Sequence, residues 1–234
     1  VSAIHIYSQY NPSDLDAARR YKVAAQSWAR QQWIDCPIEQ FPRWWREEGV
    51  ALPYIIDLFD AGCAARAPTD IIIFTNLDCI TKSDAALQII AHLQRASACY
   101  AYRFDFNHKL MKPPADSEFT KGQLYPGSDL VAFRAAWWIA HRHKMPDMVL
   151  GLEAADPVLR QLVDETNVGT SNEVLGIIAH ERHYSRWEDA KNRYRLKGQL
   201  HNLILAKKFF QQRKINPGIY RLTDARRSSA CNSN

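Results

Sequence analysis

The chain lacks most of the features that would assign it at a glance. No apolar run approaches the roughly 18 residues that a membrane-spanning helix requires, and no signal-peptide pattern opens it. The cysteines (Cys36, Cys63, Cys79, Cys99 and Cys231) are scattered, odd in number and nowhere spaced as Cys-x-x-Cys. That argues against a disulfide framework and a structural zinc site, and it fits a reducing, cytoplasmic setting. Neither Gly-x-Gly-x-x-Gly nor Gly-x-x-x-x-Gly-Lys-Ser/Thr occurs, which counts against dinucleotide and P-loop chemistry. Internal repeats and low-complexity segments are absent as well.

What remains is ordinary globular material. The 234 residues are 47% hydrophobic and 24% charged, enough for one large α/β domain with a substantial core. The charge is unevenly placed. Residues 181–234 carry 13 Lys and Arg against 4 Asp and Glu, whereas residues 1–180 carry 17 against 21. A basic final quarter suits a polyanion such as nucleic acid, or the diphosphate of a nucleotide, or is simply a solvated helix face.

Ala3 to Tyr7 reads as a short buried strand, and Asp14 to Gln32 as a helix. Ile34 to Phe41 reads as a second strand broken by Pro37, and Pro53 as a helix start. The clearest segment is Ile71-Ile72-Ile73-Phe74, an apolar run bounded by polar residues, as expected of a strand buried on both faces. A helix over about 83–95, a strand over 98–106 and a strand over 130–134 follow, with a polar loop over 107–123. The remainder reads as mostly helical. This alternation predicts a doubly wound α/β sheet, in which ligands bind beyond the carboxyl ends of the strands.

Asp78 occupies such a position, in a short polar turn after the apolar strand. A carboxylate there can grip Mg²⁺ or Mn²⁺, or else cap the following helix. Gly127 and Asp129 lie in Pro126-Gly127-Ser128-Asp129, which is turn chemistry in any protein. An acid at that strand entrance could also accept hydrogen bonds from a ligand. Asp156 before Pro157 is a credible helix N-cap as well as a candidate base, with Glu153 in reserve. His180 and His183, three residues apart, are neighbours on a helix; one is a candidate metal ligand, His180 by preference, or both are surface histidines. Trp44-Trp45 and Trp137-Trp138 could stack on a ring, but one of each pair belongs to the core.

The run Ile72-Ile73-Phe74-Thr75-Asn76-Leu77-Asp78 resembles the strand and metal-binding turn of the GT-A (nucleotide-diphospho-sugar) glycosyltransferases, whose signature is Asp-x-Asp. Here the first acid is Asn76. Three further segments follow in the family's order: Tyr125 to Arg134, Gly151 to Pro157, and Ile178 to His183. The resemblance spans about residues 3–205. It implies a single GT-A-like, Rossmann-like α/β domain with a mostly parallel central sheet flanked by helices and a helical C-terminal part. Residues 1–106 would form the nucleotide-binding half, 124–205 the sugar and acceptor half, and 206–234 a basic tail.

The resemblance also implies an activity. Sugar would pass from a nucleotide-diphosphate donor to a hydroxyl acceptor, with Asp78 and His180 holding Mn²⁺ or Mg²⁺. Tyr7, Ser8 and Gln9 would receive the nucleotide, with Asn76 and Gly127 beside it. Asp129, Asp156 and Glu153 would be the catalytic carboxylates, Asp156 foremost as the base. The basic Lys191–Lys197 segment would close over the diphosphate, and the acceptor could be a modified nucleic-acid base. Two alternatives use the same fold, namely a non-catalytic module binding a nucleotide sugar or nucleic acid, and a nucleotidyltransferase.

Overall fold

The Ile71–Phe74 run does form a strand, and it lies inside a seven-stranded sheet in the computed structural model, which describes residues 1–8, 15–47, 50–167, 172–183 and 197–215. The first half contains β1 (Ala3–Ser8), α1 (Leu15–Trp28), β2 (Ile34–Ile38), β3 (Trp44–Glu47), β4 (Val50–Pro53), α2 (Ile55–Cys63) and β5 (Ile71–Thr75). It continues through β6 (Cys79–Thr81), α3 (Ala85–His92) and β7 (Ala98–Phe106). The second half contains β8 (Gln123–Arg134), α4 (Ala135–His141), α5 (Ala155–Thr166), β9 (Ile178–Glu181) and α6 (Lys197–Gln212). None of the described helices is long and apolar enough to cross a membrane.

The sheet order is β2-β1-β5-β8-β7-β9-β6. β1 pairs in parallel with β2 and β5, and β7 with β9, while β8 and β6 run against their neighbours. Most strands therefore share one direction, in the α/β architecture expected of a GT-A-like domain. Pro37 is tolerated because β2 is an edge strand, where a missing N–H breaks no ladder on the open side.

Alternation along β5 divides the core. Ile72 and Phe74 point to one side, with α2, α4 and α5, and Ile71 and Ile73 to the other, with α3. On the first side Phe59 is surrounded by Phe74, Phe133 and Trp138 at 5.0–5.6 Å between ring centres. Both Trp137 and Trp138 are buried here, so neither is left for a ligand. A third cluster joins α1, through Val23, Ala24 and Trp28, to Tyr7, Ile80 and Phe106. It sits next to the strand ends that carry the candidate site.

Three local readings change. Pro53 closes β4 of a β3–β4 hairpin instead of opening a helix, and α2 begins at Ile55. Within β8 the ladder shifts between Ala101 and Arg103, so Pro126 to Asp129 bulges out of a strand that starts at Gln123, not Leu130. Residues Ile178 to Glu181 form a strand, not a helix. A short apolar run carries no periodicity, so length was the better guide there.

Phe59 is fully buried among large aromatic neighbours, so truncation leaves a cavity that cannot collapse. Phe59→Ala is expected to lower the unfolding free energy by about 3–5 kcal/mol in urea titration. A loss under about 1 kcal/mol would show that this face is not packed as described.

Candidate active site

β5 ends at Thr75, and the turn Asn76 to Asp78 carries the chain from inside the sheet to its edge strand β6. Helix α1 fixes that edge. Trp28 Nε1 donates to the Cys79 carbonyl at 2.9 Å, and the Thr81 N–H donates to Ser27 Oγ at 2.9 Å. Pairing of β6 with β9 then sets Cys79 opposite His180, which brings Asp78 beside the imidazole. His180 Nε2 lies 3.3 Å from Asp78 Oδ2, and His183 Nε2 lies 2.8 Å from the same oxygen. One ligand atom from each of the three residues falls within 4.8 Å of the others.

This donor set fits a divalent ion. It offers one hard carboxylate and two imidazole nitrogens, a mixture that suits Mn²⁺ better than Mg²⁺, which prefers oxygen alone. His180 has the further mark of a ligating histidine, since its Nδ1 bonds Asp105 Oδ1 at 3.0 Å, which leaves Nε2 turned to Asp78. The electrostatics agree with the geometry. Burial opposes charge on His180, as does Arg103, but Asp78 and Asp105 together outweigh them and the ring is pushed up to about 9. Burial opposes charge on Asp78 too, and the two histidines hold its carboxyl well below the usual range. A metal ion would replace the protons in this cluster. The hollow in front of Asp78 is lined by Arg20, Val23, Ile80, Leu110 and Glu181.

From the triad a row of buried charge runs across the neighbouring strands. Asp105 faces His180 in the β7–β9 register. Arg103, two residues back on β7, lies 2.9 Å from Asp105 through Nε and 2.6 Å from Asp129 through Nη1. Its guanidinium covers the Tyr125 ring at 4.2 Å. Asp129 is buried, and it also accepts the Asn76 side-chain amide. Asn76 therefore faces Asp129, not the triad.

Asp156 stands beyond Asp129. The helix N-cap is Ala154, in the left-handed region at φ 74°, so Asp156 lies in the first turn of α5 and does not cap it. Its carboxylate accepts the Ser128 N–H. Burial, then the nearby Asp129 charge, pushes the Asp156 carboxyl up to about 7, against the pull of Arg160 and Arg103. Gly127 gives this corner its room: a Cβ there would stand 2.5 Å from the Tyr125 ring and 3.4 Å from Asp156 Oδ2.

Other expected residues are placed as follows. Glu153 accepts the Gln199 side-chain amide, and its own N–H donates to Gln199 Oε1 at 3.0 Å, which ties it to α6. Tyr7 is buried against His5 and Trp28 at 5.1 and 4.9 Å, and burial raises its phenol pKa. Ser8 is half-buried at the end of β1. Gln9 and residues 191–196 of the basic segment lie outside the described residues. Sequence reasoning missed Arg103 and Asp105. Their signal was two opposite charges at i and i+2 in the otherwise apolar strand Ala98–Phe106.

No family model matches the chain, and no curated protein does. Among solved structures, the chain is similar to S. aureus TarS 1–349, at 8% identity and a TM-score of 0.44, covering 98% of this chain and 77% of that one. It is also similar to 4-diphosphocytidyl-2C-methyl-D-erythritol synthase from Anaerococcus prevotii DSM 20548, at 10% identity and a TM-score of 0.32, covering 90% and 97%. Neither likeness is close enough to transfer a reaction, which leaves the chemistry to the residues.

The raised Asp156 carboxyl has a consequence for stability. The folded chain holds this proton more tightly than the unfolded chain, whose carboxyl keeps the ordinary 3.8. Stability is therefore lost as pH rises from about 4 through about 7. Asp156→Asn removes the loss. It is expected to match the wild type at pH 4 and to exceed it by ~2 kcal/mol at pH 8, after solvent screening of a half-buried group. Denaturant titration at the two pH values checks this, and an equal effect at both would contradict it.

Proposed function

We propose that the protein is a divalent-metal-dependent glycosyltransferase, moving a sugar from a nucleotide-diphosphate donor to a hydroxyl acceptor. The observation that carries this reading is the convergence of Asp78, His180 and His183 donor atoms within 4.8 Å at the sheet edge, with Asp156 across the site held near neutral pKa. The Asn76-x-Asp78 turn after a buried strand and the GT-A-like architecture supply the sugar-nucleotide context.

Asp78, His180 and His183 would hold the ion, Mn²⁺ in preference to Mg²⁺. When bound, it neutralises charge on the departing diphosphate. The protein's own groups do the rest. Asp156, half ionised near neutral pH, takes the proton of the acceptor hydroxyl as that oxygen attacks the anomeric carbon. Asp129, held by Arg103 and Asn76, stands next to Asp156 and adds to the burial that raises the Asp156 carboxyl. Gly127 lets the backbone pass tightly against the Tyr125 ring beside Asp156, where a Cβ would clash. Ser8, half-buried at the end of β1, would meet the nucleotide, with the buried Tyr7 beside it.

One observation favours a second reading. Asn76 brings no charge, and its amide is engaged with Asp129, so the turn offers the metal a single carboxylate. A protein that binds the donor without transferring the sugar fits that deficit. The acceptor is an open part of the first reading, and a modified nucleic-acid base remains the candidate suggested by the basic C-terminal quarter. Binding that weakens steeply with salt would support it.

A thermal-shift screen of nucleotide sugars, with Mn²⁺, with Mg²⁺ and with neither, tests the proposal. One donor should raise the melting temperature with Mn²⁺, less with Mg²⁺, and not in Asp78→Ala, as mass action requires. With that donor, Asp156→Asn should retain the shift and lose about 10²–10⁴-fold in transfer rate. Donor binding without turnover in any acceptor would select the binding-module reading. Release of pyrophosphate would identify nucleotidyl transfer instead. No shift with any donor, in a folded sample, would count against all three.

A further inference from the structure

The middle member of the buried charge row, Arg103, touches no reacting atom in the reaction proposed above and acts there only through Asp129. Arg103 is largely buried, with its side chain 16% exposed. The two carboxylates it pairs with lead in opposite directions. On one side, Asp105 bonds His180 Nδ1 at 3.0 Å, and His180 turns its other nitrogen to Asp78. On the other, Asp129 lies beside Asp156, whose carboxylate accepts the N–H of Ser128, the residue just before Asp129. The tie crosses β8, β7 and β9, which are neighbours in the sheet, with Asp129 in the β8 bulge and Asp78 in the turn before β6.

We propose that Arg103 is a positioning residue that holds the Asp78–His180–His183 triad and the Asp156 carboxylate in fixed register across the sheet. It rests on the reading of those two groups as metal site and base. The guanidinium suits the task, because one rigid plane reaches two carboxylates, Asp129 by a hydrogen bond and Asp105 as an ion pair, while its face lies on Tyr125 at 4.2 Å. An ammonium keeps the charge but cannot span both partners. The groups facing Asp156 are Asp129 and Tyr125 from β8, Arg103 from β7 and Arg160 from its own helix, together with the Ser128 N–H. Removing the Arg103 charge leaves Asp129 uncompensated next to Asp156, and it frees Asp105 from the anchor that orients His180.

These two effects separate under substitution. On the full chain, Mn²⁺ affinity is measured by titration calorimetry, and the Asp156 carboxyl midpoint by ¹³C NMR, assigned with Asp156→Asn. Arg103→Gln should raise the midpoint by about one pH unit and weaken Mn²⁺ binding about tenfold. Arg103→Lys should restore the midpoint, since the charge returns, but not the affinity, since the span does not. A role in folding alone would produce no such split, and if the Gln variant fails to fold, the Lys variant reads the loss of affinity by itself. An unchanged midpoint in Arg103→Gln, or full Mn²⁺ affinity in Arg103→Lys, would overturn the proposal. A wild type that takes no Mn²⁺ would overturn the metal reading instead, and Arg103 would then be judged on the Asp156 midpoint alone.

Discussion

Asp129, Arg103, Asp105, His180 and Asp78 form an alternating row of charge on and beside adjacent strands, and most of the molecule serves to keep that row paired. A charge taken out of water is tolerated when its neighbours compensate it. Removing one partner of a buried pair typically costs about 3–5 kcal/mol, because the other is left uncompensated. The row therefore constrains the sheet beneath it. A one-residue slip of β9 against β7 would turn His180 away from Asp105 and reverse every side chain of the strand. The β8 bulge meets the same requirement, since it releases Gly127 and Asp129 from pairing with β7 next to Arg103 and Asp156, while the Asp129 carbonyl keeps the Asn76 N–H.

The surrounding packing supports the site more than it adds to it. Helix α1 anchors β6 through Trp28 and Ser27, and its Arg19 donates to both oxygens of Glu181, the residue after His180. Glu181 in turn accepts the Leu110 N–H at 2.7 Å, which ties down the segment after β7. Strand, helix and loop thus meet at the residue adjoining a metal-ligand candidate. On the far side, Gln199 of α6 engages Glu153 just ahead of Asp156. Both halves of the candidate site are braced by elements that contribute no chemistry of their own.

The sequence made the strands easier to read than the site. Ile71 to Phe74 was legible because four consecutive apolar residues with polar boundaries suit little but a buried strand. Asp78 stands out by its position after a strand, and the structure sets it beside His180; Asp156 before a proline reads as an N-cap, a place that Ala154 takes instead. β9 was not, since Ile178 to Glu181 is too short to show a period, and reading it as helix hid how His183 reaches Asp78. The chain leaves the strand after Glu181 and brings His183 back, which spacing alone does not encode. Arg103 and Asp105 could have been found from two charges on one face of an apolar strand. Their partners could not, because the order β8-β7-β9 is a tertiary fact that joins Arg103 to Asp129, 26 positions away, and Asp105 to His180, 75 positions away.

Asp78, His180 and His183 are proposed to form a metal site. Crystals of the wild-type chain grown with Mn²⁺ test it most directly, by anomalous diffraction at a wavelength where manganese scatters strongly. The account predicts one strong peak bounded by Asp78 Oδ, His180 Nε2 and His183 Nε2, lost in Asp78→Ala. A peak held by other residues, or none in a well-ordered crystal, would contradict it.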